Sequence, residues 1–315
     1  MHLLIPYAAS RSEGCLAALP ALKLPHLQKL LSRLSPLPAD SGDEFSLSPP
    51  HERAWAHALG LAVADGQIAW AAVAASQRPE LACEDAAWGR IDLCHWQVNT
   101  NHVAMSHLPL PELSAADSDT LLSAMRPYFE EDGITLYPDQ PGRWLAQGEV
   151  FAGLATASPD RVVGRNLEIW MPTSPQAAPL RRLQNEMQML LYTHPSYDAR
   201  TARGLTPVNS FWISGTGALP ATSQDSANKE QPGVIATLRE AALAEDWPAW
   251  VSAWRALDVG EVKALLDAQS RGEPVKLTLC GERHAQTWLD QPQPLLQRIK
   301  HLFGTQPAST LLEKL

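Results

Sequence analysis

The chain has 315 residues, a formal net charge of −9 and a hydrophobic fraction of 45%. Its length suits two modest domains, or one core with a large insertion, and its apolar content is enough to bury real cores. Its acidic balance argues against nucleic acid as partner, because phosphates call for a basic face.

Along the chain, apolar His2 to Ile5 stops at Pro6 and predicts a first strand. Leu27, Leu30, Leu31 and Leu34 recur at helical spacing after Pro25. Residues 35–50, rich in Ser, Pro and acid, read as a loop. Trp55, Leu59 and Ala62 predict a second helix, and Ile68 to Ala75 a buried strand. Residues Ile91 to Ala104 are strand-like. A helix capped by Asp117 or Ser118 follows, with Leu121, Leu122, Met125 and Phe129 on its apolar side. Asp132-Gly133 turns the chain into a short strand from Ile134 to Tyr137. Leu180, Leu183, Met187, Leu190 and Leu191 mark an amphipathic helix. Residues 216–233 read as an exposed, mobile loop. Trp247, Trp250 and Trp254 form a helical aromatic stripe of the kind that fills cores. VKLTLC at 275–280 reads as a strand, and 294–303 as a last helix.

Cys15, Cys83, Cys94 and Cys280 form no CxxC pair and read as reduced, buried thiols rather than zinc ligands. MHLLIPYAAS lacks the basic and long apolar regions of a signal peptide, and no stretch reaches the ~18 apolar residues of a membrane span. The expectation is a cytoplasmic protein with no membrane partner.

The segment THPSYDARTARGLTPVNSFWISGTG, residues 193–217, concentrates polar signals. The preceding helix should end at His194-Pro195. A short helix should carry Arg200 and Arg203 on one face, with Gly204 as its left-handed cap. The strand after it runs into Gly215-Thr216-Gly217, whose N–H groups could approach an anion. Two guanidiniums can make forked bonds to carboxylate or phosphate. They can equally form ordinary salt bridges, with Glu186 or Asp198 as partners.

The pattern HPxxxxRxxRGLxPxNSxWxxGxG resembles a signature of the archaeal-type cofactor-independent phosphoglycerate mutases, of the alkaline-phosphatase superfamily. CHWQVNT at 94–100, ITLYPDQPGRWL at 134–145 and SPDRVVGRNLEIWMP at 158–172 resemble further segments of that family, in the same order. The likeness covers roughly 88–217. The chain resembles more closely a set of bacterial proteins named as regulators of pathogenicity factors, type E, many of which carry a phosphoglycerate mutase label. The resemblance implies an α/β fold. A parallel-sheet core like that of alkaline phosphatase would be formed by 1–87 and 211–315, with a smaller α+β domain inserted at 88–210. The default ligand site is then the cleft between domains.

The family's chemistry uses two manganese or zinc ions and a serine nucleophile. The chain departs from what that needs. Pro6, Tyr7 and Ala8 stand where the first metal-binding Asp-Gly should follow strand one. Pro50 or His51 stands at the nucleophile position, with Ser48 near but out of place. The tryptophan helix replaces a ligand segment. Glu282 and His284 could imitate only one half of the final ligand pair. In the insertion His95 replaces an arginine and Pro159 a histidine before Asp160, whereas Arg143, Arg200, Arg203 and Asn209 match the pattern.

A second polar cluster, His95, Asn99, Asn101, His102 and His107, is read as capping, turn and strand-edge residues ahead of a metal or ligand site. HERAWAH has Trp55 where a zincin histidine would stand, and no GxxxxGK[ST], GxGxxG or GxSxG motif occurs. The resulting expectation is a degenerate, non-catalytic mutase-like protein that binds an anionic small molecule or a protein partner in regulation. Arg143, Arg200 and Arg203 would contact the anion, with Asn209, Asp160 and His95 beside them. No cofactor is expected. The alternative is an active mutase or phosphatase using manganese or zinc with rearranged ligands.

Overall fold

A computed structural model describes residues 1–61, 64–81, 85–219, 231–291 and 307–315. It divides into two compact units, Met1–Leu61 with Asp225–Leu315, and Ala62–Gln224. The fold is mixed α/β with parallel strand pairs.

The first unit is built from both ends of the chain. Strand β1 (His2–Ile5) pairs in parallel with β10 (Gly233–Val234) and β11 (Lys276–Cys280). The expected parallel sheet stops there. β12 (His284–Leu289) follows β11 through a tight turn and must run antiparallel, and β2 (Ser35–Pro36) and β3 (Asp40–Ser41) pair antiparallel with it. These two short edge strands lie in the 35–50 segment expected to be loop.

On one face Leu3, Ile5, Leu277 and Leu279 meet the leucines of α2 (Pro25–Leu31) and Cys15 of α1 (Glu13–Ala18). Trp250, Trp254 and Leu257 of α10 (Trp247–Leu257) join them, with Leu265 and Leu266 of α11 (Lys263–Ser270). On the other face Leu4, Cys280 and Ala285 pack on Ala54 and Trp55 of α3 (Pro50–Leu59). A short helix, α9 (Arg239–Leu243), leads into α10. A π-helical turn, Asp258–Val262, joins α10 to α11 and buries Asp258. That carboxylate accepts from the N–H groups of His26 and Leu27 (3.2 and 2.7 Å) and lies 3.0 Å from His26 Nδ1. It thus caps α2, whose own N-cap position, Leu24, offers no side-chain acceptor.

The second unit is an antiparallel sheet in the order β7 (Thr135–Gln140), β8 (Arg143–Gln147), β4 (Trp88–Cys94), β9 (Ser210–Gly217). Its apolar face carries Ile91, Leu93, Trp144, Phe211 and Ile213 under α5 (Ala115–Glu131) and α7 (Ala178–Thr193). A hairpin, β5 (Trp96–Val98) and β6 (Val103–Met105), follows β4. The short helices α6 (Pro159–Val162) and α8 (Pro195–Ala202) flank the second half of the unit.

Three expectations are corrected. The strand predicted over 68–75 is a helix, α4 (Trp70–Ser76). Its apolar run reads either way by periodicity, and alanines at 71, 72, 74 and 75 favour helix. The cap of α5 is Ser114. Its hydroxyl accepts from Asp117 N–H while the Asp117 carboxylate accepts from Ser114 N–H, at 3.1 and 3.2 Å. Ser118 instead accepts from Gly142 N–H and Trp144 Nε1, each at 3.0 Å. The units divide at 61/62 and 224/225 rather than at 87/88 and 210/211. α4 packs on Trp88 and Leu145 of the second sheet, and β9 pairs along the length of β4, so both belong to that unit.

The loop expected at 216–233 begins and ends in strands at Thr216-Gly217 and Gly233; its 220–230 part, the helix expected at 294–303, Ala62 and Cys83 lie outside the described residues. Cys15, Cys94 and Cys280 are free and buried.

Candidate functional site

Strand β4 reads WGRIDLC, and its alternation sends Ile91 and Leu93 into the core while Arg90 and Asp92 share the opposite face. Cross-strand pairing sets Arg143 of β8 opposite Asp92. The Asp92 carboxylate, 3% exposed, accepts from Arg143 Nε at 2.8 Å and Arg90 Nε at 3.1 Å. Ser214 stands opposite Arg90 and Ser210 opposite Cys94. Both are buried, and their hydroxyls have no hydrogen-bond partner among the described residues. Burial, then the Asp92 charge, pushes the Cys94 thiol well up, so it stays protonated.

The 193–217 segment folds largely as its sequence predicts. His194 ends α7 in extended conformation and starts α8, its Nδ1 accepting from Ser196 N–H at 3.2 Å. Gly204 adopts φ 72°. The two arginines then part. Arg200 is 2% exposed and donates to three carbonyls, Thr206, Glu112 and Pro111, at 2.9, 3.1 and 2.7 Å. It braces a loop in which Glu112 holds a positive φ of 50°. Arg203 is exposed and pairs with Glu112 at 3.0 Å. Neither meets Glu186, which pairs with Arg182 at 3.5 Å.

Asn209 holds the backbone of Trp96 from both sides, accepting from its N–H at 2.7 Å and donating to its carbonyl at 3.0 Å. His95 Nδ1 lies 3.0 Å from the Pro207 carbonyl, and burial holds its pKa below the usual value. The Cβ sides of Gly215 and Gly217 face the residues that start α4. A Cβ at Gly215 would stand 3.0 Å from Trp70 Cβ, and one at Gly217 3.2 Å from Ala69 Cβ, so these glycines let the start of α4 lie against β9. Asp160 sits in the first turn of α6, its N–H on Ser158 Oγ at 3.3 Å. Beside it Arg161, 3% exposed, stacks over Trp170 at 5.2 Å. Of the polar residues at 95–107, His102 lies 3.4 Å from Asn99, while His95 faces Pro207.

In the first unit, the end of β1 is closed. Tyr7 takes a positive φ of 56°, and Ala8 and Ala9 are buried. The Tyr7 carbonyl accepts from Trp250 Nε1 at 2.9 Å, and the Ala8 carbonyl from Trp254 Nε1 at 3.1 Å. Ala8 N–H donates to Cys280 at 2.8 Å. In open α/β sheets this end of a parallel strand is where ligands enter. Here indoles fill it. Ser48 is buried just before α3, its carbonyl accepting from Arg53. Glu282 accepts from Arg11 N–H at 3.1 Å. His284 Nδ1 is buried with no partner among the described residues. Burial, then Arg11, Arg53 and Arg283, lowers its pKa, with Asp40 opposing. Among the described residues no three His, Cys, Asp or Glu side chains are grouped to hold a metal ion. The described residues do not fit a two-metal centre.

No family model matches the chain. A curated relative does, at 28% identity over 150 residues: a probable 2,3-bisphosphoglycerate-independent phosphoglycerate mutase of Geobacter sulfurreducens. The chain is similar to a phosphoglycerate mutase. The matched stretch is 47% of this chain and spans only 37% of that relative's length. Among solved structures, the chain aligns with a cofactor-independent phosphoglycerate mutase from Thermoplasma acidophilum, at 12% identity and TM-score 0.36, covering 94% of each chain. It also aligns with the PH0037 protein from Pyrococcus horikoshii, at 14% identity and TM-score 0.44, covering 95% of this chain and 92% of that one.

Sequence reasoning missed Arg90, Asp92 and Arg161. The first two carried a readable signal, since charged residues two apart in an otherwise apolar strand must share one face. Arg161 carried none, because its burial depends on Trp170, nine residues on.

Proposed function

We propose that this chain is a phosphoglycerate-mutase-like protein without the mutase's metal chemistry, acting in regulation by binding an anionic ligand or a protein partner. The sequence similarity to a mutase supports the first part. The closed end of β1 carries the second: Tyr7, Ala8 and Ala9 offer no metal-binding carboxylate or imidazole, and Trp250 and Trp254 engage the backbone carbonyls there. The anion side rests on Arg143, held on the sheet by Asp92. We assign the protein to the cytoplasm, in keeping with three buried, free cysteines.

The test is metal content together with turnover. The purified protein is soaked in manganese and zinc and desalted, its bound ions are counted by mass spectrometry, and interconversion of 2- and 3-phosphoglycerate is assayed. The expected result is no tightly bound ion and no turnover. Two retained ions per chain, with turnover lost in Ser48→Ala, would overturn the reading.

A further inference from the structure

We propose that residues 307–315 are a built-in occupant of an oxyanion nest at the turn Gly281–His284, and that displacing them opens the nest to a small oxyanion such as inorganic phosphate. The turn lies at the C-terminal end of β11, in the first unit. Two successive backbone N–H groups there, those of Arg283 and His284, donate to one atom, the main-chain oxygen of Leu315, at 3.4 and 3.1 Å. Successive N–H groups that converge on one point form a concavity for an anion's oxygen. On the same turn Arg283 Nε and His284 Nδ1 are buried without a partner among the described residues. The guanidiniums of Arg11 and Arg53 lie within electrostatic reach of His284. Carboxylates stand nearby as well: Glu282 accepts from Arg11 N–H at 3.1 Å, Glu44 from Arg283 Nη2 at 2.6 Å and Asp40 from Arg53 Nε at 2.9 Å. The preference for an oxyanion therefore comes from directed donors and not from net charge.

The oxygen now in the nest is delivered by an apolar anchor. Ala308, Leu312 and Leu315 are buried in the first unit's core, beside α2 and the turn Leu19–Ala21. Gly281 is what lets the segment close. A Cβ at that position would stand 2.5 Å from the Cβ and the main-chain carbon of Leu315, so no side chain fits between turn and segment. The helix Ala308–Leu312 has five residues, too few to hold itself together in water. Its order depends on docking, so this contact can open while β11 and β12 stay paired. The end of a parallel strand is where open α/β sheets take their ligands, and here a segment of the chain itself takes that place.

This inference concerns the first unit and stands apart from the anion contact proposed at Arg143, so the two fail separately. The probe is inorganic phosphate at constant ionic strength, with chloride as control. The readout is the backbone ¹⁵N–¹H signals of Arg283 and His284, which should respond weakly in the unaltered chain. Gly281→Ala, which forces Leu315 away, and deletion of 307–315 should each let phosphate move both signals to saturation, binding about tenfold or more tighter than in the unaltered chain. A synthetic peptide of residues 307–315 should reverse that gain in the deletion variant. An equal response before and after displacement, no saturation in the deletion variant, no reversal by the peptide, or an equal response to chloride would each overturn the proposal. Should neither variant fold, hydrogen exchange of the unaltered chain decides. Phosphate that binds the open form must speed exchange at the Glu313 and Leu315 amides, which are bonded to Ser309 and Leu312 in the docked segment. Exchange there that ignores phosphate would overturn the proposal as well.

Discussion

The two units close their polar backbone in opposite ways. In the first, the loop after β1 is pinned by neutral indole N–H groups and surrounded by apolar side chains. In the second, buried charge does this work: Arg200 gathers three carbonyls, and Asp92 bridges two arginines. An indole that fills a core leaves no room for a ligand there. A guanidinium anchored by one nitrogen still has others to offer. That difference is why the anion site is sought in the second unit and not at the end of β1.

The comparison breaks most sharply at the tryptophans. Trp254→Ala removes a fully buried ring and orphans the Ala8 carbonyl, and should cost about 3–5 kcal/mol in urea unfolding. A loss below 1 kcal/mol would mean the loop does not depend on that ring. Arg200→Ala should cost about 3 kcal/mol, because three carbonyls lose a charged donor at once. Asp258→Ala strips the borrowed cap from α2 and should cost about 2 kcal/mol; a peptide-like cost near zero would show water replacing it. Arg203→Ala, by contrast, should stay within about 0.5 kcal/mol, since its pair with Glu112 is exposed. A large cost there would erase the distinction drawn between the two arginines.

Acidification gives the smallest effect and touches both units. Burial depresses the pKa of His95 and of His284, so the folded state binds fewer protons than the unfolded one. The stability they contribute is present above the unfolded histidine value, about 6.5, and is lost as pH falls through it. The urea midpoint should therefore drop between about pH 7 and pH 5, and less in His95→Gln. An unchanged slope in that variant would remove His95 from the account.

Much of the fold was legible because local physics sets it. Leu27, Leu30 and Leu31 face one core from helix α2, and Leu34 joins them just past its end. His194-Pro195 had to end α7, because proline excludes the helical conformation before it. The alanine-rich run at 70–76 was misread because a short apolar stretch has no period of its own. The site was less legible. Arg200 and Arg203 look equivalent in sequence, three residues apart, one in the last turn of α8 and the other just past its end. Only the fold separates them, by bringing Pro111 and Glu112 alongside the first.

The sequence by itself determined the helix and strand types over most of the chain, the absence of an Asp-Gly pair after β1, and the likeness to a mutase. These are matters of residue identity and short-range spacing. Tertiary structure alone decided which polar groups remain available. Gly215 and Gly217 gave their space to α4, Arg200 gave its donors to carbonyls, and Asn209 gave both ends of its amide to Trp96. Whether a donor is engaged depends on partners dozens of residues away, and no local pattern encodes that distance.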